Sequence, residues 1–538
     1  MRRNERRGAE AQRKTRRELD ARMRALPAII ERIFSPTSAA LRLCVHSVAR
    51  TRESFFLMTV AVVQPSIANV HRADHAPRVI VVGGGLAGMA AAIALETAGV
   101  SVTLLEARKG LGGRASSFDD PQTGETLDNC QHVLLGCCTN LLDFYRRLGV
   151  SHLIHYERTV HFVGKGGRRN DLSGVRGLPA PLHLGPSMAG FSALTLRERV
   201  AVSCAMLAML RLGRAGRAAL SDTSFGQWLD DHHQSAALVQ KLYDPILVGS
   251  LNEQCRDASA AYAIQVFQDA MLAHASGYVI GLPACPLGEL YAKFPCRDVR
   301  LGTRVSGIRF TRASATGVEL LGGEVLDADA VVLATNHHAV RRWVPEELAT
   351  LDSRFARLGE LESVPILGAH LWFDRPVLTD SHAAFIEGPL QWLFKKDAEG
   401  KAVHGVISAA REWVDVPRDE ALKRFEQQIR AVFPRARDAT LLRGVTVIEK
   451  RATFSPKPGV DRLRPPQAPP AGGIENLYLA GDYTLSGWPA TMEGAVRSGY
   501  LAAEAVASAL PSCFANRNRS YLVPDLSIQW PARMLGYR

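Results

Sequence analysis

Val79-Ile80-Val81-Val82-Gly83-Gly84-Gly85-Leu86-Ala87-Gly88 opens the part of the chain whose reading decides the fold. Four apolar, mostly β-branched residues in a row suit a buried parallel strand. Met89–Gly99 (MAAAIALETAG) then has helical spacing and a glycine stop, and Ser101–Leu105 (SVTLL) is a second strand closing on Glu106. The result is a strand–turn–helix–strand unit of about 30 residues carrying Gly83-x-Gly85-x-x-Gly88. Gly83 permits the tight turn, Gly85 lets a pyrophosphate approach the backbone, and Gly88 lets helix and strand pack closely. Leu86 and Ala87 stand where a helix N-terminus turns its unpaired N–H groups toward phosphates. Glu106 follows Gly88 by 18 residues, the distance at which a carboxylate accepts both ribose hydroxyls of an adenosine. An acid there argues against a 2′-phosphate. The unit predicts an α/β, Rossmann-like domain holding a dinucleotide.

Three further strings extend this reading. Glu106 leads into Ala107-Arg108-Lys109-Gly110-Leu111-Gly112-Gly113-Arg114. Gly302–Ile308 leads through a strand pattern to Asp329–Asn336 (DAVVLATN). Leu477–Ala480 reads as a strand, followed by Gly481-Asp482-Tyr483, a loop to Pro489, and Ala490-Thr491-Met492-Glu493-Gly494-Ala495 opening a helix to Ala509. In this order the strings resemble the flavoprotein superfamily of amine oxidases, phytoene desaturases and protoporphyrinogen oxidases. The resemblance implies FAD. It places Gly112, Gly113 and Arg114, with Ala107 and Arg108, on the pyrophosphate and ribityl chain, and the Val305 backbone on the adenine. It places Gly481 and Asp482 at the ribityl end, and Ala490, Thr491 and Met492 near the flavin ring. A helix N-terminus beside that ring can stabilise the anionic reduced flavin.

Leu127–Gly136 (LDNCQHVLLG) resembles a DNGQH-type motif of the squalene-associated FAD-dependent desaturases, the hydroxysqualene dehydroxylases of hopanoid synthesis. Tyr243-Asp244-Pro245-Ile246, Leu251-Asn252, Ala258–Ala260, Glu449–Phe454 and Gly487–Gly499 resemble the same family. The resemblance covers Arg78 to Leu510, roughly four-fifths of the chain. It implies an amine-oxidase-like fold of the glutathione-reductase-2 type. Residues 77–155, 288–340 and 441–510 are expected to form the FAD-binding domain. Residues 156–287 and 341–440 should form an interleaved substrate or lid domain of mixed sheet plus helices. Residues 1–76 are read as a basic extension and 511–538 as a C-terminal tail. Cys130 stands where the family pattern has glycine; if that position needs a left-handed turn, cysteine strains it.

The implied reaction is reductive dehydroxylation: hydroxysqualene and reduced FAD give squalene, water and oxidised FAD. The hydroxyl carbon is allylic, so loss of water leaves a delocalised cation that a hydride quenches. Hydroxide leaves poorly, so a general acid is needed. His132 is the first candidate, since imidazole titrates near neutrality; Asp128 is second and Glu493 third. Gln131 and His132 are also expected against the flavin, although Asp128, Gln131 and His132 can equally serve only to fix their loop. A C30 isoprenoid calls for an apolar tunnel and peripheral contact with the cytoplasmic face of a membrane. Val200–Leu212, rimmed by Arg197, Arg199, Arg211 and Arg214, is either a membrane-contact helix or a buried core helix. The donor that re-reduces FAD has no sequence signal. The rival readings are a carotenoid or phytoene desaturase, an amine oxidase, and a non-catalytic prenyl carrier on the same fold.

Composition bounds the rest. The chain has 538 residues, 47% hydrophobic, with a formal charge of +12. Residues 1–58 hold 14 basic and 6 acidic residues, a net of +8, and the remaining 480 carry only +4. The excess therefore belongs to a tail of arginine clusters interleaved with acids, and a nucleic-acid partner is not expected. Phe55–Val63 (FFLMTVAVV) imitates a secretory core but follows too long and too acidic a lead; Met58 is a candidate alternative start. Nine cysteines are too sparse for a disulfide scaffold and match no metal ribbon. His232-His233 and His337-His338 are not read as metal ligands, because neighbouring histidines usually point apart and no carboxylate cluster accompanies them. A cytoplasmic, reducing compartment is expected.

Overall fold

A computed structural model describes residues 76–510 and 520–538. The chain divides into two units, Met1–His71 and Arg72–Arg538. The first unit, and with it the basic tail, Met58 and Phe55–Val63, lies outside the described residues.

The first sheet has five parallel strands in the order Asp298–Arg300, Ser101–Leu105, Arg78–Val82, Ala330–Leu333, Leu477–Leu479. This is the doubly wound arrangement, with the order reversing beside the first strand. The inner strands are continuous apolar runs because both faces are covered. Val79, Val81, Ala330 and Val332 join a core with the helices Leu86–Thr97 and Met492–Ala509. Ile80, Val82, Val331 and Leu333 face the opposite core, shared with the rest of the molecule. The two helices touch so closely that a Cβ on Gly499 would lie 2.2 Å from the Ala87 carbonyl oxygen. That contact brings the first and last sequence strings together.

The second sheet has seven strands in the order Leu441–Phe454, Ser363–Phe373, Ala402–Ile407, Trp392–Lys395, His382–Phe385, Thr159–Gly164, Arg168–Ser173. It is mixed: His382–Phe385 runs parallel to Thr159–Gly164, and every other pairing is antiparallel. The helix Arg418–Val432 buries Ala421, Phe425, Ile429 and Val432 in the core it shares with this sheet. The fold is thus α/β, a parallel sheet plus a mixed sheet, as the resemblance implies.

Several local expectations shift. Gly88 lies inside the first turn of its helix, which begins at Leu86. Val200–Leu212 is the middle of a longer helix, Leu196–Ala218, started by a capping box between Thr195 and Glu198. Its stripe Val202, Ala205, Met209 and Leu210 is buried, while Leu196 and Val200 remain exposed. Among the described residues no helix is long and apolar enough to cross a membrane. The premise about adjacent histidines fails at His337 and His338, whose ring centroids are 4.0 Å apart. Residues 520–538 pack onto the body: Tyr521, Ala532 and Tyr537 are buried, and Gln529 accepts from the Ala180 and Ala275 amides.

Candidate active site

The nucleotide loop and the Gly112–Arg114 turn form one cradle. The Gly112 N–H donates to the Gly84 carbonyl at 2.8 Å, and Gly85 pairs with Gly112 as an isolated bridge. Gly83 has φ +112°, and a Cβ there would meet the Ala334 carbonyl at 2.6 Å. The Glu106 carboxylate accepts from the Gly84 N–H at 2.7 Å and the Arg108 N–H at 2.8 Å. It is 9% exposed and has no cationic partner among the described residues, so lone pairs remain for hydroxyl donors. Ala107 is exposed beside it, and the Arg108 guanidinium donates to the Gly113 carbonyl. The Thr303 N–H donates to the Glu106 carbonyl, which brings buried Val305 into the same neighbourhood.

No side chain caps the Leu86–Thr97 helix, whose N-cap is Gly85, and its first turn carries no acid. Leu86, Ala87 and Gly88 therefore offer a helix N-terminus that a diphosphate would satisfy. Across the cradle, Arg114 pairs with Asp482 at 2.6 Å and also donates to the Ala452 carbonyl. Burial lowers the Arg114 pKa, but the adjacent Asp482 and Glu449 charges outweigh it and hold the guanidinium above its ordinary range. Thr491 caps the Met492–Ala509 helix, its hydroxyl accepting from the Gly494 N–H at 3.1 Å. The Gly481–Pro489 loop has an organiser that the sequence does not advertise. Arg464, wholly buried, donates to the carbonyls of Asp482, Tyr483, Thr484 and Trp488. Within this loop the hydroxyl of buried Tyr483 has no hydrogen-bond partner among the described residues. The donor set and the open helix terminus fit a dinucleotide.

A second cluster forms where the Leu127–Gly136 string meets the seven-stranded sheet. Asp128 is buried; Oδ1 accepts from the Ser117 hydroxyl at 2.9 Å and the Leu287 N–H at 2.8 Å, and Oδ2 faces Lys396 Nζ at 3.2 Å. The same ammonium reaches Gln131 Oε1 at 3.2 Å. His132 Nδ1–H donates to the Cys130 carbonyl at 2.9 Å. Burial, with the Arg114 and Lys396 charges, pushes the His132 imidazole below its usual range, so it is neutral at pH 7. His370 Nε2–H donates to the Asp128 carbonyl at 3.0 Å, and His404 Nδ1 lies 3.1 Å from His370 Nδ1. These contacts fix the protons. His370 carries its hydrogen on Nε2, so His404 donates from Nδ1 and keeps a bare Nε2, which is buried without a partner among the described residues. Burial drives both imidazoles down.

Glu493 stands apart from this cluster. Its oxygens accept from the Asn140 N–H, the Asn140 amide and the Leu141 N–H, holding the start of the Thr139–Arg147 helix. Burial pushes its carboxyl up, opposed by those donors and by Arg497. The expected strain at Cys130 is absent, because its φ is not among the positive values. Lys396, His370, His404 and Arg464 escaped the sequence reading. Lys396 and His370 meet Asp128 from 268 and 242 residues away, and Arg464 and His404 carry no local signal for the partners they find.

Residues 86–507 match the family described as flavin containing amine oxidoreductase. The chain belongs to that family. Its cofactor is FAD. As a flavin-containing amine oxidoreductase it is similar to hydroxysqualene dehydroxylase of Zymomonas mobilis, 28% identical over 438 residues, covering 79% of this chain and 97% of that one. It is similar to a 15-cis-phytoene desaturase of an Oncidium hybrid, 28% identical over 458 residues, covering 80% and 77%. Among solved structures, cyclohexylamine oxidase of Brevibacterium oxydans superposes with a TM-score of 0.57 at 19% identity, covering 81% of this chain and 100% of that one. Putrescine oxidase gives a TM-score of 0.58 at 18% identity, covering 80% and 99%.

Proposed function

We propose that this flavin-containing amine oxidoreductase is a hydroxysqualene dehydroxylase, reducing an allylic C30 alcohol to squalene. The observation that carries the reading is the Asp128–Lys396 cluster, where the dehydroxylase-like string is tied into the second sheet. Dehydroxylation needs a proton for the departing hydroxyl, whereas desaturation of a hydrocarbon does not. A protonated amine held beside a carboxylate at that junction suits the former. The match to the Zymomonas dehydroxylase, over 97% of that protein and 79% of this chain, supports the same choice.

Reduced FAD, when bound, supplies the hydride that replaces the hydroxyl. The rest falls to the chain. Gly83, Gly85, Gly88 and the Leu86–Ala87 amides hold the diphosphate, and Glu106 holds the adenosine ribose. Arg114 and Asp482 fix the ribityl end, while Gln131, His132 and the Ala490–Met492 turn border the ring. Domain roles follow the two sheets, the parallel one for FAD and the mixed one for substrate. Contact with a membrane surface delivers the isoprenoid.

The experiment is anaerobic incubation of photoreduced holoenzyme with hydroxysqualene and with phytoene in parallel. Squalene with return of oxidised-flavin absorbance is expected. Consumption of phytoene by the oxidised enzyme, with no squalene formed, overturns the reading in favour of a desaturase. Purified protein without flavin absorbance would favour a prenyl carrier.

A further inference from the structure

The identity of the acid follows from counting protons around Asp128. An ionised carboxylate accepts only. Asp128 already accepts from Ser117, Leu287 and Lys396, and the Ser117 hydroxyl is oriented toward it because it accepts in turn from the Gly288 N–H. Glu493 is occupied by Asn140 and Leu141 at a helix start. His132 spends its one N–H on the Cys130 carbonyl. His370 and His404 form a chain of single protons ending in a bare nitrogen. Each of these groups accepts hydrogen bonds or has committed its proton.

Lys396 differs. Its ammonium has three N–H bonds, and the described partners take two, Asp128 Oδ2 and Gln131 Oε1, both at 3.2 Å. The side chain is 28% exposed, so the third N–H is within reach of a bound molecule. It extends from the end of the Trp392–Lys395 strand, in the middle of the mixed sheet. The carboxylate beneath it is buried and fixed by two further donors, so the ammonium is held rather than merely attracted. The pair also compensates the buried Asp128 charge, so its structural role and a proton-donating role have to be separated by experiment.

We propose that Lys396 is the catalytic proton donor to the departing hydroxyl, with Asp128 and Gln131 as its positioning residues. This rests on the dehydroxylase reading. In the step, the allylic C–O bond breaks and its electron pair leaves with oxygen. A proton from Lys396 Nζ joins that oxygen, and water departs. The carbon regains an electron pair as the hydride from the reduced cofactor. Lys396 is left as a neutral amine and takes its proton back from solvent. The sum is alcohol plus reduced flavin giving hydrocarbon, water and oxidised flavin.

The test is single-turnover reoxidation of the photoreduced holoenzyme by hydroxysqualene, with squalene quantified. Lys396→Met is expected to slow the wild-type rate by about 100-fold or more while flavin content is retained, and to lower the melting temperature because buried Asp128 loses its cation. Lys396→Ala, a smaller side chain, should regain rate when ethylammonium is added, and Lys396→Met, whose side chain fills the space, should not. Asp128→Asn should lower kcat with little change in KM, and Asp128→Glu should restore part of the rate. A Lys396→Met rate within about threefold of wild type, or no response of Lys396→Ala to the amine, overturns the proposal while leaving the dehydroxylase reading intact. Failure of the wild type itself to form squalene overturns the reading, and the acid assignment with it.

Discussion

The Gly83–Arg114 cradle and the Asp128 cluster are built by opposite means. In the cradle, glycines make room for backbone around the first strand–helix turn, and one long-range pair, Arg114–Asp482, ties it to the end of the chain. In the cluster, Lys396 meets Asp128 across 268 residues, and the architecture is polar side chains buried in a sheet. The first kind of site is specified by absent side chains and the second by present ones. Substitutions should therefore act through sterics in the cradle and through charge and protons in the mixed sheet.

The largest effect is expected at Gly88. A Cβ there would lie 1.9 Å from the Gly83 carbonyl oxygen, backbone against backbone. Gly88→Ala should cost more than about 3 kcal/mol in urea unfolding and abolish flavin retention. Gly99→Ala is its control, since that glycine has φ +89° with open space around it. The control should lose only about 1 kcal/mol and keep its flavin. Similar losses at both glycines would show that backbone conformation, rather than close approach, governs the cradle.

Arg464 tests whether the cradle also depends on a buried cation. Removing its guanidinium leaves the Asp482, Tyr483, Thr484 and Trp488 carbonyls without that donor. Arg464→Met should lose about 3 kcal/mol and most of its flavin, and Arg464→Lys should not restore them, because an ammonium cannot span the fork. Full flavin content in Arg464→Lys would mean that the loop holds its own shape.

The mixed sheet should instead respond to acid. His382 is wholly buried, and desolvation, with His161 nearby, lowers it from 6.5 to about 4. Asp380, Glu157 and Arg169 also face it, the acids raising it and the arginine lowering it. The unfolded chain takes up this proton below pH 6.5, whereas the folded chain resists until about 4. Stability is complete above the higher value, falls as pH drops through the window, and is then lost, by about 3 kcal/mol for this residue. His382→Gln should flatten that part of the curve measured by urea titration. An unchanged slope would place the acid sensitivity elsewhere.

What could be read from the sequence follows the same division. Gly83, Gly85, Gly88, Glu106 and Asp482 were legible because each sits at a fixed offset from a strand end, and strand ends are visible as apolar runs. The parallel sheet follows from those runs. The 441–454 strand was not legible as part of the mixed sheet, since its apolar positions alternate weakly and its partner lies about 80 residues upstream. His370 and His404 have no local signature: a histidine in an apolar strand looks alike whether it faces lipid-like packing or another imidazole. Only the folded register, which pairs His370 with His404, reveals it. Arg464 sits in a polar stretch, Asp461-Arg462-Leu463-Arg464, where nothing distinguishes the buried arginine from the exposed one two residues earlier.

Cys130 lies between the two regions and gives the smallest and sharpest test. It occupies the position where the resemblance has glycine, yet its backbone is not left-handed, so the sequence-level argument for strain does not apply. Its side chain is buried, with burial pushing the thiol up to about 12. A Cβ built on Gly368 would stand 2.8 Å from His404 Nε2 and 3.9 Å from Cys130 Sγ, so the sulfur fills space beside the bare imidazole nitrogen. Cys130→Gly therefore removes packing and adds backbone entropy to the unfolded chain. It should lose about 1 kcal/mol, keep its flavin, and leave the rate of flavin turnover near wild type. The native thiol should react slowly with alkylating reagents at pH 8, since little thiolate is present. A Cys130→Gly protein that is more stable than wild type would show that the turn is strained after all, and would move Cys130 from the packing of the mixed sheet into the steric logic of the cradle.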